Sequence, residues 1–167
     1  MQKVSFLLLC LLSFSVIQSQ DAKSLLGKWQ VVSMGFPDGR VIQKSDWGAI
    51  VAEIMKESKN EALSIDNDFS EQDSLAALRE ATFIMKGMFD AVQEYQPNGV
   101  FLYHGWDEKA DWAPTVLKGT YTYDPAKKQI ITTVKGKSNE YSVSKAGENL
   151  KFARPDNSYI LLSKAPE

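Results

Sequence analysis

The chain has almost none of the residues that build covalent or metal cross-links: one cysteine, Cys10, and one histidine, His104, among 167 residues. Cys10 lies inside an apolar amino-terminal run, so the remainder can form neither a disulfide nor a cysteine-based metal site. A zinc site would have to be built almost wholly from carboxylates, and no metal or other cofactor is expected. Charge of one sign is also lacking, because 19 Lys and Arg stand against 21 Asp and Glu, a formal net charge of −2. That balance leaves no basic footprint for nucleic acid or an anionic membrane, and neither is an expected partner. Internal repeats and low-complexity stretches are absent too, and the length suits one domain.

The apolar run itself reads as a secretory signal peptide. Lys3 supplies the positive start, and residues 4–16 form an apolar stretch broken only by serines. This run is shorter than the roughly 20 apolar residues that span a bilayer. Cleavage after Ser19 would leave a domain of residues 20–167, secreted or periplasmic and expected to be a monomer. Lipidation at Cys10 is the competing reading, disfavoured because Leu9, not a small residue, precedes it.

The rest of the chain alternates two periodicities. Residues 28–34 read as a strand, closed by the turn signal Pro37-Asp38-Gly39. Trp47, Ile50, Val51, Ile54 and Met55 then recur at helical spacing, with Ser45 or Asp46 as N-cap. After the polar link Asp66-Asn67-Asp68, Ser70 and Asp73 form a capping-box pattern that opens a second helix. Its apolar stripe is Leu75, Leu78, Thr82, Met85 and Phe89, weakened at Gly87. Strands are predicted at 93–96, 100–104, 117–123, 129–134, 140–144, 149–153 and 159–163. Turn signals stand between them, among them Pro97-Asn98-Gly99 and Arg154-Pro155-Asp156-Asn157. The pattern predicts a mainly β fold: an antiparallel up-and-down barrel of about eight strands, with a two-helix insertion between the first and second.

Three motifs, in order, are also familiar. Leu26-Gly27-Lys28-Trp29 resembles the Gly-x-Trp opening of lipocalins. Tyr95-Gln96-Pro97-Asn98-Gly99-Val100-Phe101 resembles a hairpin of small bacterial lipocalin-like secreted proteins, and Lys118-Gly119-Thr120-Tyr121 is similar to the Gly-x-Trp/Tyr strand that follows in that family. The resemblance covers essentially the whole chain after the leader. It implies a calycin-type barrel that binds small apolar molecules or a cell-envelope partner. One position departs from the pattern: Lys164 stands where lipocalins usually carry an arginine stacked on the first tryptophan. By the family's pattern, Trp29, Val31, Phe101, Tyr103, Leu117, Tyr121, Tyr123, Tyr141, Val143, Leu150 and Phe152 face inward.

In an up-and-down barrel, successive connections alternate between the two ends. Tight turns collect at the Trp29 end, while the helices and the longer links collect at the other. Loops on a rigid scaffold are where binding residues concentrate. The helix end is expected to hold Trp47, His104, Trp106, Trp112, Lys137 and Arg154, with Tyr103 and Tyr121 offering hydroxyls inside the barrel. These eight are the candidate ligand-binding residues, Arg154 or Lys137 meeting a carboxylate. Two readings stand for the tryptophans: a lip that grips a ligand, or a plug packed beneath the helices.

No constellation suggests an enzyme. Asp66-Asn67-Asp68 lacks the glycine and distant glutamate of a calcium loop. His104 lies near Asp107 and Glu108, but no nucleophile is marked out beside it. The expected function is therefore capture of a small apolar or amphipathic ligand at the helix-covered mouth. The alternative is a solid barrel that acts through an envelope protein partner.

Overall fold

The computed structural model describes residues 23–66, 70–107, 110 and 112–166. The predicted leader, and the link at 67–69, lie outside the described residues. Nine strands form one antiparallel sheet: β1 (Gly27–Gly35), β2 (Val41–Gln43), β3 (Val92–Gln96), β4 (Val100–Asp107), β5 (Ala113–Asp124), β6 (Gln129–Val134), β7 (Lys137–Ala146), β8 (Asn149–Ala153) and β9 (Tyr159–Lys164). From β3 onward each strand pairs with the next, and β1 pairs with both β3 and β9, which closes an eight-stranded barrel. The three-residue β2, which the sequence did not reveal, extends the β3 edge by pairing with the second half of β1. Between β2 and β3 lie two helices, α1 (Trp47–Asp66) and α2 (Glu71–Met85). The expected architecture is the one observed.

Alternation along the strands builds the interior. Phe101, Ile130, Val143, Leu150, Phe152 and Leu162 are buried, and Tyr95 at 1% exposure sits at their centre. Tyr95 meets Phe101 at 5.1 Å, Tyr121 edge-on at 5.1 Å and Phe152 at 6.0 Å, in the tilted geometries that aromatic quadrupoles favour. Burial pushes the Tyr95 hydroxyl's pKa up, and the hydroxyl donates to Gln93 Oε1 at 2.9 Å.

The Trp29 end is sealed. Trp29 is 3% exposed, and its Nε1 donates to the Leu25 carbonyl at 2.7 Å. Lys164 closes the other side. Its Nζ lies 3.9 Å from the Trp29 ring centre and donates to the Leu26 carbonyl at 2.7 Å. Lysine thus fills the position the resemblance reserves for arginine, by a cation–π contact plus one hydrogen bond. Gly27 makes this approach possible, since a Cβ there would stand 2.9 Å from Lys164 Nζ.

Strict alternation fails at one place. The β1–β9 register shifts between Val31 and Ser33: Val31 opposes Leu162, Ser33 opposes Leu161, and Val32 is left as the extra residue. Beyond the shift Met34 pairs with Ile160 and with Ile42, and all three pack against the core.

The helices follow their caps. Ser70 caps α2 as a capping box, its Oγ accepting from Asp73 N at 3.2 Å and Asp73 Oδ2 accepting from Ser70 N at 3.0 Å. At the start of α1 a 3₁₀ turn (Lys44–Asp46) intervenes. Asp46 Oδ2 accepts from Gln43 N at 3.0 Å, so the cap position is Gln43 rather than Ser45 or Asp46. The α2 stripe also differs from expectation. Leu75 and Leu78 are 61% and 40% exposed, whereas Ala77, Ala81 and Met85 form the buried face. Small side chains there let the helix approach closely. At Gly87 the α-helix has already given way to a π turn (Lys86–Asp90), which drives Phe89 into the core.

On the outer wall, Glu94 of β3 accepts from Gln96 Nε2 at 2.6 Å and faces His104 Nε2 at 2.8 Å. The Gln96 amide, and then His104, hold its carboxyl below the ordinary value of 4.5. A depressed carboxyl contributes stability above its unfolded pKa and loses it as pH falls through the folded value. Glu94→Gln should therefore lower stability at neutral pH, and the difference from wild type should shrink by pH 3, as read by urea denaturation. Gly119 supplies a second test. A Cβ at Gly119 would collide with the Thr133 carbonyl oxygen, while one at Gly48 meets open space. Gly119→Ala should cost about 1–3 kcal/mol, and Gly48→Ala in α1 should add roughly 0.5–1 kcal/mol.

Candidate binding site at the helix end of the barrel

Links β1–β2, β4–β5, β6–β7 and β8–β9, together with both helices, gather at the end opposite Trp29. Here the aromatic filling stops. A pocket of about 260 Å³ opens between the β1–β2 turn and the β8–β9 turn. Its floor is Met34, Phe152 and Ile160, its wall is Tyr141, and Arg154 and Asp156 stand at its lip. Each floor residue has a traceable origin. Phe152 and Ile160 are cross-strand partners on the inner face of β8 and β9. Met34 joins them because the extra residue at 32 reverses the phase of β1.

The lip is braced. Arg154 N donates to Ser158 O at 2.8 Å, and Asn157 N donates back to Arg154 O at 3.1 Å. Asn157 sits at φ 68°, a left-handed position that asparagine tolerates. Asp156 Oδ1 accepts from Ser158 Oγ at 2.6 Å and from Ser158 N at 2.9 Å, and these bonds hold its carboxyl below the ordinary range. Arg154 Nη2 reaches Tyr141 Oη at 3.4 Å, with its guanidinium carbon 5.4 Å from the same ring's centre. That contact is long, so much of the guanidinium's donor capacity is left to a guest.

A second cavity of about 270 Å³ lies on the other side of Tyr141. Gln93, Tyr103, Thr132 and Asn139 are among its lining residues. Burial pushes the Tyr103 hydroxyl's pKa up.

The eight residues singled out from sequence are distributed unevenly over this geometry. Arg154 lines the rim pocket and Tyr103 the inner cavity. Trp47, half-buried at the head of α1, packs against the core cluster from above, beside Ile50 and Val51. His104 and Trp106 alternate with Tyr103 and so face outward, away from the mouth. His104 meets Glu94, while the Trp106 ring lies 5.8 Å from Lys86 Nζ. Trp112 packs against Phe83 of α2 at 5.1 Å, with Arg79 and Lys86 over its ring at 5.6 and 5.8 Å. The two tryptophans thus brace the helices from outside the barrel and line neither cavity. Tyr121 lies toward the sealed end, donating to the Gln96 carbonyl at 3.0 Å. Lys137 is exposed beside the β6–β7 turn and lines neither cavity. Sequence reasoning did not single out Tyr141, Phe152, Met34 or Ile160 as site residues. Alternation had already turned Tyr141 and Phe152 inward, but not shown that they border empty space.

No family model matches the chain, and no curated protein matches it. Among solved structures it is similar to a lipocalin-like protein from Bacteroides uniformis, at 13% identity and a TM-score of 0.47, over 85% of this chain and 99% of that one. It is also similar to a DUF4847 family protein from Bacteroides vulgatus, at 12% identity and a TM-score of 0.46, over 86% of this chain and 95% of that one.

Proposed function

We propose that the protein is an exported binding module, not an enzyme, that captures a small amphipathic acid in the rim pocket. The observation that carries this reading is the pairing of an unfilled apolar floor with a cation at the lip. Met34, Phe152 and Ile160 border the space, and Arg154 is presented on a turn held by its own backbone. An apolar body gains about 25 cal/mol for each Å² it removes from water. A carboxylate gains charge-assisted, bidentate bonds from a guanidinium fork. Tyr141 and Phe152, with ring centres 5.8 Å apart, offer aromatic surface to a ring-bearing guest. Pocket size and half-open shape limit the guest to one ring or a short chain.

The other reading, a protein partner in the envelope, is favoured by one observation, the exposure of Leu75 and Leu78 on α2. Phenylacetate separates the two. Titrated into the protein by calorimetry, it should bind, and Arg154→Gln should weaken it by about 10-fold or more. Binding of 2-phenylethanol, which lacks the carboxylate, should not change with that substitution. If phenylacetate does not bind, or binds equally well without Arg154, capture of an acid at the rim is wrong.

A further inference from the structure

The cavity behind Tyr141 has a different chemistry from the rim pocket, and the two call for different guests. Its polar groups are the Tyr141 hydroxyl and two cross-strand pairs on separate walls. Gln93 of β3 stands directly opposite Tyr103 of β4, and Thr132 of β6 directly opposite Asn139 of β7. Phe101 is among the apolar residues between them, and no charged side chain lines the space among the described residues. The Gln93 oxygen already accepts from the Tyr95 hydroxyl at 2.9 Å, which orients the carboxamide and leaves its two N–H donors and one lone pair for a guest. Tyr103 Oη reaches the Gly87 carbonyl only at 3.4 Å, near the limit for an O–H donor. Thr132, 6% exposed, brings a hydroxyl that both donates and accepts, and Asn139, exposed at the open side, brings a carboxamide.

We infer that this inner chamber is a second binding site, selective for an uncharged planar ring that carries adjacent hydrogen-bond donor and acceptor, such as a cyclic amide. The lining supplies donors from Gln93, groups of both kinds from Thr132 and Asn139, and an aromatic face from Phe101. A bare carboxylate or ammonium would give up part of its hydration in this half-open space and meet no countercharge among the described lining residues. A plain hydrocarbon would leave the amides and hydroxyl without partners, also at a cost. Volume is sufficient, since an apolar cavity of about 150 Å³ accepts benzene. Tyr141 is the one polar residue that lines both spaces, while Gln93, Tyr103, Thr132 and Asn139 line this one and not the rim pocket.

The experiment is NMR observation of the Gln93 and Asn139 side-chain amides during titration with 2-pyridone, and separately with phenylacetate. The expected result is that 2-pyridone shifts both amide signals and phenylacetate shifts neither. Thr132→Val, which removes the hydroxyl while keeping the branched shape, should weaken 2-pyridone by about 2- to 10-fold. The inference is overturned if 2-pyridone moves neither amide, if phenylacetate moves them equally, or if Thr132→Val binds 2-pyridone as tightly as wild type. Should that variant not fold, the two wild-type titrations decide the matter alone.

Discussion

The structure depends on the closure of β1 against β9 at Trp29. A sheet that curls through eight strands has two free edges until its first strand meets its last, and those edges are open to pairing with other chains. Here the meeting point is also the plug. Trp29 is held through Nε1 by the Leu25 carbonyl and capped by Lys164, which in turn is tied to the Leu26 carbonyl. One indole therefore joins the segment before the barrel, the first strand and the last. Partial burial against the ring also pushes the Lys164 ammonium's pKa down.

Sealing one end leaves the other to differ. Near Trp29 the inward residues are large and meet across the barrel, so that Tyr95, Phe101, Tyr121 and Phe152 fill it. Toward the helices the inward residues shorten to Thr132, Val134 and Asn139, and space remains on both sides of Tyr141. The rim pocket and the inner chamber thus come from one gradient in side-chain size along the barrel axis. Tyr141 divides them, and it couples to the rim through its contact with Arg154.

Much of this was legible in the residues. Period-two strands with turn signals between them led to the barrel, and the parity of the links led to the correct end. Every inward residue named from alternation and resemblance lies on the inner face. The failures share a cause, which is that periodicity records which face a residue occupies and not what it meets there. Leu75 and Leu78 carried the apolar stripe of α2, yet the helix buries its alanines, because close approach to the barrel selects small side chains. Trp106 and Trp112 left two readings open, a lip or a plug under the helices, because large aromatics on a loop need cover of one kind or the other. The outer face of α2 supplies that cover through Phe83 and Lys86. The short β2 has too few residues to show a period at all.

The surplus residue in β1 has a consequence for how such a pocket arises. With unbroken alternation from Trp29, Ser33 and Gly35 would point into the upper barrel and the Met34 thioether would point to solvent. A single inserted residue at 32 exchanges a hydroxyl and a bare backbone for an unbranched, polarisable side chain that adapts to irregular shapes. The apolar character of the rim thus rests on a one-residue change of length as much as on the identity of any residue that lines it. A deletion at 32 would turn Met34 out of the pocket and recast its chemistry without substituting any residue.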